Sequence, residues 1–328
     1  MAAQPVPGLC SAAPGRAFAL LAKPGFPSRA AAPSRPLVLP GGRRSPGRLV
    51  GRAPVPFAAK RGGGRGEVAS EGGDGSRALL QAALWGAEAA YILWLFLLPF
   101  APGDPVWAIS QATISDLIGL SLNFFFILPL LNSAGVHLLE SPVLHPMAEG
   151  LFNFVIAWTL LFAPLLFTDS RRDRYKGSLD VLWGCQMFLT NTFLIPYMAI
   201  RLNDPDTDHS PPQTSRLGSV MVKGAPIVGA IGGLVCVASI VWALFGRADD
   251  GFGGIAERWQ FAQSYVFSER LAYAFLWDIL LYSIFQPWLI GDNIQNVKAD
   301  STGFVNVVRF VPVVGLVAYL LCLEEIED

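Results

Sequence analysis

The sequence is short of charge. Of its 328 residues, 15% are Asp, Glu, Lys or Arg and 52% are hydrophobic, against roughly a quarter charged in an ordinary soluble domain. Too little charge remains to clothe a water-facing surface, so a large soluble globule is excluded and a lipid bilayer is the natural solvent and partner. Cysteine is scarce too. Cys10, Cys185, Cys236 and Cys322 lie far apart with no C-x-x-C pair, which argues against a disulfide or zinc framework and for buried, reduced thiols. The chain has no G-x-S-x-G elbow, no Walker loop, no dinucleotide fingerprint and no obvious acid–base pair, so it leans away from enzymes and no cofactor is expected.

Acidic residues are missing from one region altogether. Between Met1 and Gly66 there are nine Arg and two Lys, and Glu67 is the first acid. Of the 24 basic residues in the chain, 13 lie beyond this leader, against 25 acids, so the remainder carries a net charge of −12. An acidic body behind a basic leader argues against nucleic acid as a partner. The leader holds eleven prolines and four serines, and its best apolar run, 17–22, is too short for a secretory signal. Residues 1–66 therefore fit an organelle transit peptide, unfolded and excluded from the fold. The M-A-A start resembles chloroplast leaders, and Pro5, Pro7 and Pro14 spoil the amphipathic helix that a mitochondrial leader needs. The expected address is a plastid membrane, thylakoid or inner envelope, reached after a short polar linker over 67–78.

A bilayer core about 30 Å thick needs about 20 apolar residues at 1.5 Å each. Seven segments reach or approach that length: 79–100, 115–135, 150–168, 179–200, 224–245, 271–290 and 303–323. The expected fold class is an all-α, polytopic membrane bundle of six or seven transmembrane helices over 79–323, ending in an acidic tail at 324–328. Trp107, Trp183, Tyr197, Trp242, Trp259 and Trp288 sit near segment ends, as an interfacial aromatic belt does. The loop 202–222 is turn-forming and acidic. The stretch 246–269, with Ile255, Trp259, Phe261, Tyr265 and Val266, suits an amphipathic helix on the membrane surface. Basic residues divide almost evenly between alternate loops, so the positive-inside rule gives no orientation.

Within the apolar segments the polar exceptions are informative. Glu88, Asp278 and Arg309 are ionisable residues inside predicted spans, where a charge costs about 2.5–3.5 kcal/mol even on lenient scales and requires a partner or a water path. In an antiparallel pair of helices Asp278 and Arg309 fall within reach of each other, so an ion pair is expected, a clamp first and a proton or ion relay with Glu88 second. Asn123, Asn132, Asn153, Asn191, Gln186 and Gln286 are expected to bond across helices. Gly229 and Gly233, spaced G-x-x-x-G, predict a close helix contact. Three segments share a proline followed five positions later by aspartate: Pro99 with Asp104, Pro164 with Asp169, and Pro287 with Asp292. This is the pattern of kinked helices around a cavity, or simply of helix exits into water. His137, Glu140, His145 and Glu149 are four potential metal ligands within thirteen residues, though Pro142 and Pro146 break any helical ligand spacing.

Three functions are compatible with these features. The first is a non-enzymatic role in assembling or organising plastid membrane complexes, with other plastid membrane proteins as partners. The second is a carrier or channel for a small solute or ion. The third is an intramembrane enzyme acting on a lipid or pigment, resting on the His/Glu loop.

Overall fold

The computed structural model describes residues 71–204 and 215–324. The leader 1–66, the middle of the acidic loop and residues 325–328 of the tail lie outside them. Helix already begins at Glu71, inside the expected linker. Among the described residues there is no β-strand, only an isolated bridge between Val297 and Leu323.

Among the described residues four helices are long and apolar enough to cross a bilayer. They are α1 (Glu71–Tyr91), which continues as a π-helical turn to Leu97, α4 (Pro146–Phe167), α8 (Ala225–Phe245) and α10 (Arg270–Asp292). Nearly all of α4 is buried, because α8, α10 and the shorter helices pack around it. Small residues permit the closest approach. A Cβ at Gly150 would lie 2.6 Å from the Ser239 carbonyl oxygen of α8, and one at Gly232 would lie 2.5 Å from Leu161 of α4. Helices α4 and α10 run parallel: Phe152 meets Phe275, Thr159 meets Tyr282, and Asp169 meets Asn293. Helix α1 runs the other way, with Tyr91 at Asp278 and Leu95 at Arg270. We refer to the end of the bundle holding Asp169 and Asp292 as end I, and to the end holding Glu149 and Arg270 as end II.

The remaining apolar segments are broken; the pieces of two of them fold back and those of the third are bent. After α4 the chain forms α5 (Leu179–Leu189) and α6 (Asn191–Ile200), meeting at Thr190. Arg174, just before α5, donates to the Arg201 carbonyl just after α6 at 2.8 Å, so the pair enters and leaves at end I. After α10 the same happens. Helices α11 (Thr302–Val308) and α12 (Val314–Leu321) are bracketed by the Val297–Leu323 bridge, which returns them to end I. After α1, helices α2 (Gln111–Leu122) and α3 (Ile127–Ser133) are bent by 42° around Phe124–Phe126. Their junction residue Asn123 and their late residue Asn132 both bond Ser141, which keeps this pair near end II. The expected six or seven crossings are therefore not all present as long helices; there are four, or five if the bent pair is counted as one. A helix of 20 apolar residues and a hairpin of two ten-residue helices have the same hydropathy. Two amphipathic helices complete the bundle: α7 (Arg216–Lys223) leads into α8, and α9 (Ile255–Ser268) occupies the predicted surface stretch.

Each break has a physical cause and a partner that satisfies it. Thr190-Asn191-Thr192 offers the backbone side-chain alternatives to helix, and Pro312 removes a donor. Thr190 takes φ +41° and Val313 φ +63°, a region that β-branched residues rarely enter. Side chains on the long helices hold these turns. Gln286 donates to the carbonyls of Arg309 and Val311 and accepts from Val313 N–H, and Asn153 accepts from Phe125 N–H and donates to the Asn123 carbonyl. In a bilayer such irregular backbone is tolerated only where protein or a cavity lines it.

Candidate functional site

Of the four buried carboxylates among the described residues, three organise the bundle through hydrogen bonds, and they differ in what balances their charge. At end I, Asp169 is bonded by the Arg201 guanidinium at 2.8 and 2.9 Å, by Tyr197 Oη at 2.6 Å and by Asn293 Nδ2 at 2.9 Å. Arg201 also reaches Asp292 at 2.8 Å. Burial alone would raise the Asp169 pKa, but the Arg201 bonds and charge, with Tyr197 and Asn293, outweigh it and hold the carboxyl below the usual range. At end II, Glu149 receives Arg247 Nε and Nη2 at 2.8 Å, Trp242 Nε1 at 2.8 Å and an Asn123 amide. Both clusters are closed, each acid facing an arginine.

Asp278 faces no arginine or lysine among the described residues. It is 1% exposed, at the level of the α5/α6 break. Its three side-chain donors, Tyr91 Oη at 3.2 Å, Thr190 Oγ1 at 2.7 Å and Asn191 Nδ2 at 2.7 Å, all reach Oδ1, the Asn191 backbone N–H also faces the carboxylate, and no side-chain donor among the described residues reaches Oδ2. The strained turn at Thr190 is what delivers two of these donors. Asp278 lines a cavity of about 300 Å³ that runs to end II between α1, α2, the tip of α5 and the start of α10. Glu88 lies one turn along α1 from Tyr91 on the same buried face, and its Oε2 has no hydrogen-bond partner. The other unpartnered buried polar atoms include Asn191 Oδ1, Thr192 Oγ1, Trp183 Nε1 and both amide atoms of Gln186. All four residues lie in the α5/α6 pair.

The ion pair expected between Asp278 and Arg309 is not formed. Arg309 sits at the α11/α12 turn, its guanidinium carbon 4.8 Å from the Phe310 ring centre, packed where a side chain at Gly291 would collide with it. That turn is held by Gln286, eight residues from Asp278 toward end I, because α11 ends and folds back instead of running on past Asp278. The expected metal quartet is also dispersed. Glu149 is committed to Arg247, and His145 Nδ1 caps α4 by accepting from Met147 N–H while its ring stacks on Phe261. His137 and Glu140 are exposed. Among the described residues no group of three or more His, Cys, Asp or Glu could hold a metal ion. Gly229 lies against Leu320 and Gly233 against Val317, so the G-x-x-x-G face receives α12 of the same chain.

The sequence pointed to Asp278, to Glu88 and to Asn191, which bonds Asp278 across helices, but not to Tyr91 or Thr190. Arg201, Arg247 and Arg270 sit at segment ends and read as loop charges. The proline–aspartate spacing did point to Asp169 and Asp292, and Arg201 bridges them.

Compared with known protein families, curated proteins and solved structures, the chain matches none.

Proposed function

We propose that this chain is a plastid-targeted multi-pass membrane protein that carries a small cationic solute or ion across the bilayer through a site built around Asp278. The leader supports the chloroplast address, thylakoid or envelope. On this reading α1, α4, α8 and α10 cross the membrane, and the three broken pairs are re-entrant. The pair α5/α6 meets the cavity from end I at mid-bilayer, as discontinuous helices do around transport sites.

The observation that carries the proposal is the contrast between Asp278 and the two buried acids Asp169 and Glu149. Those two are neutralised by arginine, whereas Asp278 has only neutral donors among the described residues and a cavity beside it. A lone carboxylate inside a membrane bundle is costly and marks ion or substrate pathways. Beyond it, the unpartnered polar atoms of α5/α6 and Glu88 continue toward end I. An assembly role, the first expectation from sequence, has no comparable feature behind it, and the enzyme reading loses its motive with the dispersed metal quartet.

The test is flux. Protein reconstituted in liposomes should conduct or exchange protons, rubidium or methylammonium, followed by a pH dye and by radiolabel. Asp278→Asn should abolish that flux with the thermal midpoint retained. No flux of any of the three, together with co-migration in a larger complex on native gels of plastid membranes, would return the assembly role to first place. Fusing residues 1–66 to a fluorescent protein checks the address, and mitochondrial import would refute it.

A further inference from the structure

The cavity that ends on Asp278 has a chemical sign, and it comes from how Arg270 is used. Among the described residues Arg270 is the only basic one lining the cavity, where Asp104, Glu269 and Asp278 are the acids. A guanidinium has five N–H donors. Those of Arg270 all go to main-chain carbonyls: Nε to Pro102, Nη1 to Leu95 and Leu98, Nη2 to Ala101 and Gly103, at 2.8–3.3 Å. No donor is left over for a carboxylate or phosphate. The remaining polar groups on the wall are chiefly acceptors or hydroxyls, and the Thr113 hydroxyl is itself turned to Glu269 at 3.3 Å. The rest of the wall is apolar, with Phe96, Phe188 and Phe275 among aliphatic side chains.

We infer that this cavity binds a small organic cation, its ammonium group against Asp278 Oδ2 and its apolar body lying toward end II. The inference rests on the reading of Asp278 as a solute site and adds the class of solute. An inorganic ion would leave the apolar wall unused, and a neutral apolar molecule would leave the buried carboxylate without a countercharge. An organic cation satisfies both, and aromatic rings contribute favourably around a desolvated ammonium. The volume of about 300 Å³ sets the size at a single ring or a short branched chain.

Three benzyl probes of different charge decide the matter: benzyltrimethylammonium, its neutral carbon isostere neopentylbenzene, and the anion phenylacetate. Binding is measured on the full-length protein in lipid nanodiscs. The cation should bind saturably, at least tenfold more tightly than the neutral isostere, and phenylacetate should not bind. Asp278→Asn should weaken the cation at least tenfold and leave the neutral isostere unchanged. Ala274→Phe, which fills the cavity without touching the carboxylate, should weaken both, so a folding defect in the first variant does not remove the test. Equal binding of cation and isostere, or binding of either unaffected by Ala274→Phe, overturns the inference. Saturable cation binding without uptake into liposomes would sink the carrier reading and leave the site standing. Asp278-dependent proton or rubidium flux with no binding of benzyltrimethylammonium would sink the site and leave the carrier.

Discussion

Single residues in this bundle are held by charge and hydrogen-bond satisfaction more than by shape, and two of them have a defined response to pH. Desolvation, with Arg258 nearby, lowers the His145 pKa from 6.5 to about 4. Its folded form is neutral, so its contribution is intact above pH 6.5 and falls away as the unfolded chain takes up a proton between 6.5 and 4. The thermal midpoint in detergent should therefore decline across that interval, and His145→Phe should remove this part of the decline. Asp169 has the same sign in a lower window. Its carboxylate is favoured in the fold, so the stability it supplies is present above the ordinary carboxylate range and disappears as pH drops below it. Removing its partner is more severe: Arg201→Met strands a fully buried carboxylate and should cost about 3–5 kcal/mol, measured by denaturant or thermal unfolding, with Arg201→Met/Asp169→Asn recovering part of the loss. Arginine 201 could not be recognised in the sequence, because a charge at the edge of an apolar segment looks solvated until the fold folds it inward.

At the level of elements, the broken pairs depend on donors and acceptors supplied from elsewhere. Gln286→Leu would leave the Arg309 carbonyl, the Val313 N–H and the Trp158 indole N–H without partners, while the Val311 carbonyl keeps the Gly315 N–H. At about 1–3 kcal/mol per buried orphan, a loss of about 3–5 kcal/mol is expected in thermal unfolding, and a loss below 1 kcal/mol would mean the α11/α12 turn is held by something else. Two glycine substitutions test helix packing with opposite signs. Gly150→Ala meets the Ser239 carbonyl and should destabilise by roughly 1–3 kcal/mol, whereas Gly184→Ala meets nothing within 4 Å and should stabilise α5 by roughly 0.5–1 kcal/mol. The contact of α8 with α12 was legible as G-x-x-x-G. The returns at Thr190 and Val313 were not, since hydropathy is blind to direction and the signals at the breaks, T-N-T and a proline, also occur in straight or kinked spans.

For the whole molecule the consequence is topology. If three pairs are re-entrant, Ser170, Asn203 and Lys298 share one side of the membrane and Gln263 lies on the other; seven crossings would put Ser170 and Asn203 on opposite sides. Single cysteines at these positions, in a chain with native cysteines changed to serine, should label accordingly with an impermeant maleimide on sealed vesicles. Opposite accessibility of the cysteines at 170 and 203 would refute the four-crossing arrangement. The bonds made by Arg270 also carry a lesson about biosynthesis. Five carbonyls between Leu95 and Gly103 end the first long helix, and their donor is made 167–175 residues later. A precursor with a transit peptide is imported after synthesis, so the exit of α1 enters the membrane without its cap and receives it only when α10 follows. A precursor truncated before Arg270 and imported into isolated plastids should therefore hold α1 incompletely seated and open to protease near residues 95–103.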